Sequence, residues 1–473
     1  MGTEFLDIGR REHQYREGRL RDYRDVEVRA SASEIREQAR RCMDCGVPFC
    51  HGFGCPLGNA IPDANAAVAQ GRMRDAYLVF RETSPFPEFT SRVCPALCEA
   101  SCCAGISGSP VSIRQIEFEI IETAFREGFA VPEPPGMRTG RRVAVIGSGP
   151  SGLAAAYALN RAGHDVVVFE RDAFAGGLLR YGIPDFKLEK HVVERRIDLM
   201  RREGVAFELG VDVGRDISAE YLTRKFDAVC LCIGSKAPRD LPIEGRGLSG
   251  IHFAMDFLAS QNRVNSGELK SPAISARGRK VLIIGGGDTG SDCLGTSLRH
   301  GAESVLQVEI MPEPPEGRHS STPWPMWEYK KRTSSSHREG GSRMWGVMSK
   351  KFEGRAGKVK GVLASVADWE TDSSGRPKRP SERANSEFRI EADLVLLCMG
   401  FTGVENGGLV GGLGVELAKN GAISVNSRME TSVPGVYACG DAASGPSLVV
   451  RAIASGLAMA GNVGNFLRNK AIV

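Results

Sequence analysis

The sequence predicts an α/β fold in which two Rossmann-like, nucleotide-binding domains follow a small helical domain. Two stretches, residues 141–156 and 279–290, each combine an apolar run of strand length, a glycine-rich turn and the start of a helix. This combination is typical of a dinucleotide-binding unit. Eight of the 13 cysteines lie between Cys42 and Cys103, and their clustering indicates a separate domain that binds metal.

The composition argues against several classes of partner. With 61 lysines and arginines against 57 aspartates and glutamates, the 473-residue chain has a net charge of +4, so nothing indicates binding to nucleic acid or to a membrane surface. No apolar run is long enough to span a bilayer, and no basic-then-apolar signal segment opens the chain. We therefore expect a cytoplasmic protein, in which clustered cysteines are more often metal ligands than disulfides.

The first glycine motif predicts a site for a dinucleotide. Its first glycine permits a tight turn, its second lets the backbone approach a pyrophosphate, and its third lets the helix pack close to the strand. The helix then presents free N–H groups and a positive dipole end to the phosphates. An acid that ends the next strand is placed to accept a hydrogen bond from a ribose hydroxyl. The candidate residues are Gly147, Gly149, Pro150, Ser151, Gly152, Glu170 and Arg171.

Two further segments are candidates for contact with a flavin in the same domain. The glycine-rich residues 176–184 suit a loop pressed against a flat ligand, and a glycine–acid pair near the C terminus suits the ribityl chain or pyrophosphate of a flavin. A helix from about Leu448 to Gly456 would direct its positive end at the flavin ring. For both segments an ordinary turn is the alternative. The candidate residues are Gly177, Leu178, Arg180, Gly182, Ile183, Gly440, Asp441, Ser447 and Leu448.

A second strand–glycine–helix unit follows, with residues 304–309 as its second strand. Two such units allow one chain to hold a flavin dinucleotide and a nicotinamide dinucleotide. Glu309, at the end of the second strand, favours the free ribose of NADH, whereas several arginines could serve the 2′-phosphate of NADPH. The candidate site residues are Gly285, Gly287, Asp288, Thr289 and Gly290, and the arginines are Arg299, Arg318, Arg332 and Arg338. The serine-rich residues 332–338 are either a solvated loop or part of this site.

These features predict three domains. Residues 1–135 would form a helical domain held together largely by two [4Fe–4S] clusters, with residues 1–30 draped over the surface as a polar arm. The proline-rich residues 131–136 would link it to the nucleotide domains. Residues 140–270 and 400–473 would form a discontinuous FAD-binding domain, and residues 275–399 an NAD(P)H-binding domain.

The cysteine spacings favour iron–sulfur clusters over zinc. The cysteines fall in two groups, residues 42–55 and 94–103, with short spacings and a proline after Cys55 and Cys94. Such spacings suit the compact cube of a [4Fe–4S] cluster. Structural zinc sites instead pair two Cys-x2-Cys knuckles across a long spacer, and only Cys42 and Cys45 have that spacing. Zinc remains the competing interpretation, and two clusters are expected.

Four segments together resemble the small (beta) subunit of bacterial-type glutamate synthase. They are Cys-Met-Asp-Cys-Gly-Val-Pro-Phe-Cys-His at 42–51, Arg-Tyr-Gly-Ile-Pro-Asp-Phe-Lys-Leu at 180–188, the glycine run at 285–292 and Thr-Ser-Ser-Ser-His at 333–337. The resemblance extends from about residue 5 to residue 470. The wider group includes the electron-entry half of dihydropyrimidine dehydrogenase, and its nucleotide domains are similar to those of adrenodoxin and glutathione reductases.

The resemblance implies how the cluster ligands interleave along the chain. One cluster would be held by Cys42, Cys45, Cys50 and Cys102, and the other by Cys55, Cys94, Cys98 and Glu117. Gln115 and Cys103 are the alternatives to Glu117 as the last ligand. The sequence departs from the family after Asp441, where residues 442–448 replace an Arg-Arg-Gly-Gln-Ser-Leu run. We expect this change to affect cofactor affinity and coenzyme preference more than the fold.

The resemblance also implies a function. NADPH, with NADH as the alternative, would deliver a hydride to FAD, and single electrons would leave through the clusters. They would reach the large (alpha) subunit of a hetero-oligomer, which makes L-glutamate from L-glutamine and 2-oxoglutarate. Two alternatives are a stand-alone NAD(P)H-dependent iron–sulfur flavoprotein reductase for another acceptor, and a non-catalytic assembly subunit.

Overall fold

The computed structural model describes residues 8–372 and 377–469. The first part of the chain is a short hairpin followed by helices. The hairpin strands are β1 (Gln14–Tyr15) and β2 (Glu27–Val28), and the helices are α1 (Ala32–Arg40), α2 (Ile61–Ala69), α3 (Met73–Arg81), α4 (Pro87–Val93), α5 (Leu97–Ala100), α6 (Ala104–Ser107) and α7 (Ile113–Arg126). Ser31 caps α1 by accepting a hydrogen bond from the Glu34 N–H, and the Glu34 side chain accepts one from the Ser31 N–H.

The helical domain has an apolar core of its own. Ile35 of α1, Ile61 of α2, Phe80 of α3 and Ile116 of α7 are buried in one cluster. Burying a large apolar side chain contributes about 1.5–3 kcal/mol, so the packing of the apolar helix faces adds to the stabilisation expected from the two clusters.

The central part of the chain contains the two glycine motifs. Its first half comprises β3 (Arg142–Ile146), α8 (Pro150–Arg161), β4 (Asp165–Glu170), α9 (Leu178–Tyr181), α10 (Lys190–Arg202), β5 (Ala206–Leu209), α11 (Ala219–Lys225), β6 (Ala228–Leu231) and β7 (Ala237–Pro238). Its second half comprises β8 (Ile251–Phe253), α12 (Ala254–Asn265), β9 (Lys280–Ile284), α13 (Asp288–Arg299), β10 (Ser304–Glu309), β11 (Ser342–Trp345), β12 (Val347–Arg355), β13 (Lys358–Thr371), β14 (Pro377–Glu382), β15 (Phe388–Glu391) and β16 (Leu394–Leu397).

The remaining elements pair with strands of the first nucleotide domain or pack against it. They are β17 (Phe401–Gly403), α14 (Leu409–Leu413), β18 (Val436–Ala438), α15 (Asp441–Ser444) and α16 (Val449–Asn469). The last helix begins where the sequence predicted but runs thirteen residues past the predicted end at Gly456. Gly456 is where α16 meets α8, since a Cβ there would lie 2.2 Å from the Ser151 carbonyl oxygen.

The two parallel sheets confirm the predicted α/β fold. The first sheet has the order β18-β6-β3-β4-β5 and the second β11-β10-β9-β16-β8, and all their strand pairs are parallel. An antiparallel sheet of β12, β13, β14 and β15 packs beside the second. Since β8 pairs with β16, strand pairing supports a start of the second nucleotide domain near Ile251, before the predicted residue 275.

The helical domain is anchored in the first nucleotide domain through α4. Phe86 and Phe89 are fully buried in the same core as Leu153 of α8. Glu88 forms a buried ion pair with Arg196 of α10. The helix therefore joins the two cores directly, although the predicted linker lies some forty residues later in the chain.

The N-terminal arm packs on both nucleotide domains. The Val26 N–H donates to the Phe186 carbonyl at 3.2 Å, and Arg19 Nε donates to Glu339 at 2.9 Å. Arg299 Nε donates to the Asp22 carbonyl at 3.0 Å. These hydrogen bonds attach the arm, which the sequence predicted to lie on the surface, to residues of both nucleotide domains. None of the described helices is both long and apolar enough to cross a bilayer.

Candidate functional site

The first glycine loop has one residue open to a ligand and two that tolerate no side chain. A Cβ on Gly147, whose φ is +98°, would lie 2.5 Å from the Cys232 carbonyl oxygen, and one on Gly152 would lie 2.0 Å from the Gly147 carbonyl oxygen. A Cβ on Gly149 would meet nothing within 4 Å. Gly149 is also the N-cap of α8, which starts with Pro150 and lacks a side-chain cap. Free N–H groups therefore face open space, as a pyrophosphate site requires.

Glu170, the last residue of β4, is hydrogen-bonded to this loop. Its Oε2 accepts hydrogen bonds from the Ser148 N–H at 3.0 Å and from Ser148 Oγ at 2.5 Å, and its Oε1 accepts one from the Asp172 N–H at 3.0 Å. Carboxylate oxygens have further lone pairs, so a role in holding a ribose remains open. Arg171 forms an ion pair with Glu405 at 3.0 Å. Ser148 was missed by the sequence analysis because the motif specifies only glycines.

The second glycine-rich segment packs directly on the first loop. A Cβ on Gly177, whose φ is +52°, would lie 2.8 Å from the Gly149 Cα. Leu178 beside it is exposed, whereas Arg180 is buried and donates to Glu194 at 2.9 Å. The Ile183 carbonyl accepts a hydrogen bond from Lys190 Nζ at 2.5 Å.

Gly182 and Lys190 fix the far end of this segment. A Cβ on Gly182 would lie 3.0 Å from the Leu178 carbonyl oxygen, so the turn at Gly182 leaves little room for a side chain. Burial lowers the pKa of Lys190 to about 8. The ammonium is nevertheless held by backbone carbonyls, which keeps the loop in place.

The C-terminal glycine–acid pair packs against the first glycine loop and the start of α8. A Cβ on Gly440, whose φ is +62°, would lie 2.5 Å from Ser151 Oγ. Asp441 Oδ1 accepts hydrogen bonds from the Ser447 N–H at 3.0 Å and from Ser447 Oγ at 2.9 Å, and burial raises the pKa of Asp441. Leu448 immediately precedes α16. The three predicted flavin-binding segments therefore converge at one end of the first sheet, and their open backbone suits a dinucleotide.

The second glycine loop repeats the geometry of the first. A Cβ on Gly285, whose φ is +125°, would lie 2.2 Å from the Cys398 carbonyl oxygen, and one on Gly290 would lie 2.5 Å from the Gly285 carbonyl oxygen. A Cβ on Gly287 would meet nothing within 4 Å. Gly287 caps α13 without a side-chain hydrogen bond, and α13 opens with Asp288 and Thr289. This loop, too, suits a pyrophosphate.

The serine-rich segment supports this loop and is not a solvated loop. Ser336 is fully buried, and Ser334 Oγ lies 2.6 Å from Ser291 Oγ of α13. His337 Nε2 lies 2.7 Å from Gln307 Oε1, and Gln307 Nε2 donates to the Gly285 carbonyl at 2.8 Å. Burial lowers the pKa of His337 to about 4, so the ring is neutral at pH 7. The motif shared with the family was the only sequence signal for this network.

Arg299 is not free to bind a phosphate. Its side chain is 0% exposed and forms an ion pair with the 1% exposed Glu339 at 2.7 Å. Its guanidinium lies over the Phe186 ring, 3.8 Å from the centroid. The expectation that Arg299 could serve a 2′-phosphate is therefore wrong, because the residue ends α13 facing the arm.

The structure brings the first set of proposed cluster ligands together. Burial raises the pKa of Cys45 to about 11, with contributions from a hydrogen bond to Cys103 and from the charges of Cys42 and Cys102. Burial also raises the pKa of Cys50 to about 12, with Cys102 and Cys42 as its neighbours. Cys103 thus lies in this first set and not beside the second, where it had been considered as a ligand.

The second set also converges, and it includes Glu117. Burial raises the pKa of Cys94 to about 12, and the next charges acting on it are those of Glu117 and Cys55. The buried Cys98 has Glu99, Cys55, Cys94 and Glu117 as charged neighbours. Burial raises the pKa of Glu117 to about 8, although Thr90 Oγ1 donates to it at 2.5 Å.

Gln115 is used elsewhere, because its Oε1 accepts a hydrogen bond from Arg11 at 3.1 Å. This leaves Glu117 as the better fourth donor of the second set. Among the described residues, no three His, Cys, Asp or Glu side chains meet the geometry of a single-ion site. Thiolates are the ligands that iron–sulfur clusters use, and two groups of four buried or partly buried donors fit two such clusters.

Comparison with known protein families defines the class of this protein. The family described as pyridine nucleotide-disulphide oxidoreductase matches residues 141–456, and the family described as dihydropyrimidine dehydrogenase domain II, 4Fe-4S cluster, matches residues 19–129. The chain is therefore an oxidoreductase with a module for FAD and a nicotinamide coenzyme and with a [4Fe–4S] domain.

Proteins similar to it over most of its length identify the family to which this chain belongs. A protein of Mycobacterium tuberculosis called glutamate synthase [NADPH] small chain is 52% identical over 454 residues, which cover 95% of this chain and 92% of that protein. The glutamate synthase [NADH] of Schizosaccharomyces pombe is 46% identical over 467 residues, which cover 96% of this chain but 22% of that protein. The chain belongs to the glutamate synthase small-chain family, which confirms the resemblance noted from the sequence.

Solved structures agree on the architecture. Mycobacterium tuberculosis FprA in complex with NADPH superposes with a TM-score of 0.55 at 20% identity, covering 71% of this chain and 87% of that one. This likeness shows the shared fold of two nucleotide-binding domains. The predicted fold class is thereby confirmed.

Proposed function

We propose that this chain is the electron-input subunit of a glutamate synthase. It oxidises NADPH, or NADH in its place, by hydride transfer to FAD and passes single electrons through two [4Fe–4S] clusters. The acceptor is the large (alpha) subunit of a hetero-oligomer, which forms L-glutamate from L-glutamine and 2-oxoglutarate. The names of the relatives support this function, and the position of α4 supports the route.

One observation supports the electron path most directly. Helix α4 starts beside Phe86, in the core of the flavin-binding domain, and ends at its C-cap Cys94, a proposed cluster ligand. Glu88 within α4 is fixed to Arg196 of that domain at 2.5 Å. A proposed ligand of the second cluster is therefore attached to the domain that would hold the flavin, which supports electron transfer from one to the other.

The residues of this chain bind and orient, and none is proposed as an acid or base. The open loops at Gly149 and Gly287 bind two pyrophosphates through helix N-termini. Gly177 and Gly440 would leave the backbone room to contact the flavin, and Asp441 would hold its ribityl chain or pyrophosphate. When bound, the flavin supplies the conversion between two-electron and one-electron transfer. Eight side chains hold the iron in two interleaved sets, namely Cys42, Cys45, Cys50 and Cys102, and Cys55, Cys94, Cys98 and Glu117.

The surface around the first cysteine set suits the partner subunit. Three large apolar side chains next to its cysteines are exposed, Val47 by 73%, Ile106 by 62% and Phe53 by 55%. Exposed apolar side chains of this size can contribute to a protein interface. In the Schizosaccharomyces pombe relative the matching sequence is part of a much longer chain, which supports a large partner for this chain.

The test is to purify the chain anaerobically, alone and co-expressed with its large subunit. We expect bound FAD, roughly eight iron atoms per chain at four per cluster, and bleaching of flavin and cluster absorbance by a reduced nicotinamide coenzyme. Glutamate should form only with the large subunit present. Zinc in place of iron, or absence of flavin, would contradict the proposal. Reduction without association with the large subunit would indicate a stand-alone reductase instead.

A further inference from the structure

Glu309 is held at the position from which an acid reads the ribose of a bound nucleotide. It is the last residue of β10, and its Oε2 accepts a hydrogen bond from the Gly286 N–H at 2.6 Å. Its Oε1 accepts one from the Met311 N–H at 3.0 Å. A carboxylate at this end of the second strand accepts from the ribose 2′-hydroxyl of NAD, whereas NADP sites place an arginine nearby for the 2′-phosphate.

The first nucleotide fold contains the same arrangement. Glu170 accepts from the N–H of Ser148, which follows Gly147, as Glu309 accepts from Gly286, which follows Gly285. Each acid also accepts from the N–H two residues after itself. A Cβ on Gly286 would lie 2.6 Å from Glu309 Oε2, so the carboxylate is pressed against the loop. Its position is set by the backbone and not by a mobile partner.

The charges around Glu309 are unfavourable for a 2′-phosphate. No lysine, arginine or histidine in the described ranges forms an ion pair with it. Two more acids follow in the same segment, Glu313 and Glu316, and both pair with Lys331, at 2.7 and 3.0 Å. A phosphate monoester carries about −1.5 to −2 charges at pH 7. At the ribose it would be repelled by the Glu309 carboxylate, and Lys331 in the following segment is already paired with Glu313 and Glu316.

The arginines considered for a 2′-phosphate have other contacts. Arg318 donates to the carbonyls of Thr322 at 3.0 Å and Ala100 at 3.1 Å. Arg338 lies over the Tyr15 ring of the arm, 5.6 Å from its centroid. Arg299 is buried with Glu339, as described above.

Arg332 has contacts of its own as well. Its guanidinium stacks on the Trp327 ring, 4.1 Å from the centroid, and donates to the Glu328 carbonyl at 2.7 Å. Arg343 is occupied in the same way, since it donates to the Arg332 carbonyl and to Thr333 Oγ1. None of these side chains faces Glu309 in an ion pair.

We propose that Glu309 determines coenzyme selectivity and makes NADH a better electron donor to this chain than NADPH. This inference rests on the proposed function, in which the second nucleotide domain binds the electron donor. The carboxylate accepts a hydrogen bond from the 2′-hydroxyl of NADH and repels the 2′-phosphate of NADPH. A hydrogen bond to a charged group corresponds to about ten- to a hundredfold in affinity, which sets the size of the expected preference.

The first test measures binding without catalysis. Calorimetric titration of the purified holoprotein with ADP-ribose and with 2′-phospho-ADP-ribose compares ligands that differ only at the 2′ position. We expect ADP-ribose to bind at least about tenfold more tightly. Equal binding, or tighter binding of the phosphorylated ligand, would overturn the proposal. Because this comparison uses the unaltered protein, it does not depend on whether a variant folds.

The second test changes the acid. In Glu309→Gln the charge is lost while the size is kept, and we expect the ratio of affinities to fall by about tenfold or more. Glu303→Gln changes an exposed acid just before β10, at the opposite end of the strand, and as the control it should leave the ratio unchanged. A ratio that Glu309→Gln does not change, or that both variants change equally, would assign selectivity to the general charge of the domain and overturn the proposal.

The third measurement separates this inference from the proposed function. Anaerobic flavin reduction is followed with NADH and with NADPH, and we expect kcat/KM to favour NADH. If NADPH is the better donor, the inference about Glu309 fails while the proposed function stands. If neither coenzyme reduces the flavin, the proposed function fails, and the inference is overturned as well because it concerns an electron donor.

Discussion

The Glu88 carboxylate and the Arg196 guanidinium form a doubly hydrogen-bonded pair between two domains, with Nε–Oε1 at 2.5 Å and Nη2–Oε2 at 3.1 Å. The Glu88 side chain is 0% exposed and the Arg196 side chain is 4% exposed. Removing one partner of a buried pair leaves an uncompensated charge, which costs about 3–5 kcal/mol. We therefore expect Glu88→Ala to lower the free energy of unfolding by about that amount, as measured by denaturant titration.

The matched control for this pair is the exposed ion pair between Arg383 and Asp368. Asp368→Asn should leave the unfolding midpoint unchanged, because exposed pairs contribute little. Replacing both Glu88 and Arg196 by Met should recover part of the loss, since no charge is then left buried. Equal effects of Glu88→Ala and Asp368→Asn would show that the pair does not join the domains.

The two glycines of the first loop should respond differently to alanine. Gly152→Ala would place a Cβ 2.0 Å from the Gly147 carbonyl oxygen, so we expect it to disrupt the packing of α8 on β3 and to lower the yield of folded protein. Gly149→Ala meets no protein atom within 4 Å. It should fold normally but bind FAD at least about tenfold more weakly, because the Cβ occupies the space of the pyrophosphate. Flavin fluorescence and circular dichroism measure the two effects, and full FAD affinity in Gly149→Ala would remove the pyrophosphate from this loop.

Two consecutive cysteines, Cys102 and Cys103, test the assignment of the cluster ligands. Cys102 is a proposed ligand, and Cys103 is a hydrogen-bond partner of Cys45. We expect Cys102→Ser to lose one of the two clusters, seen as a loss of roughly half the iron, and Cys103→Ser to keep both. Iron and sulfide analysis with electron paramagnetic resonance distinguishes the outcomes. Loss of iron from Cys103→Ser alone would exchange the two assignments.

His300 should make stability depend on pH. Its Nδ1 accepts a hydrogen bond from the Ala276 N–H at 3.2 Å, and its Nε2 lies 2.8 Å from Gln261 Oε1. Burial lowers the pKa of His300 to about 4, whereas an unfolded histidine titrates near about 6.5. Below pH 6.5 the unfolded chain therefore binds a proton that the folded chain does not, and stability falls as pH falls towards 4.

The expected loss is about 2–3 kcal/mol between pH 6.5 and pH 4. Thermal unfolding of the native chain should show this dependence, and His300→Asn should show less of it between pH 6.5 and 5, where few carboxylates titrate. His191 is exposed, so His191→Asn serves as the control and should follow the native chain. Identical pH profiles for all three proteins would refute the assignment to His300.

The local units of this fold could be predicted from the sequence, because their signals lie within short windows. The strand at Ser304–Glu309 has the predicted bounds to the residue, and each of the three segments proposed to bind the flavin has its own local glycine signal. Strand length, glycine spacing and the terminal acid are all local properties. The ligand sets followed from the family resemblance, since interleaved cysteines cannot be paired by spacing alone.

The contacts between distant parts of the chain could not be predicted. Ser336 is polar and lies in a polar segment, yet it is buried because Gly295 leaves room for it, with a Cβ there lying 2.6 Å from Ser336 Oγ. Phe86 looked like part of the helical domain but fills the core of the next one. Nothing in either residue's own neighbourhood specifies a partner 41 or more positions away.

A short helix that packs in one domain and ends at a proposed cluster ligand of another couples the positions of the two. Movement of the first nucleotide domain relative to the second cysteine set would have to carry Cys94 with it, because Phe89 of α4 is buried in that domain's core and Glu88 in its ion pair with Arg196. If the proposed function is correct, the distance over which an electron passes from flavin to cluster would change little during turnover. Control of electron flow would then act where the coenzyme binds or where the acceptor docks.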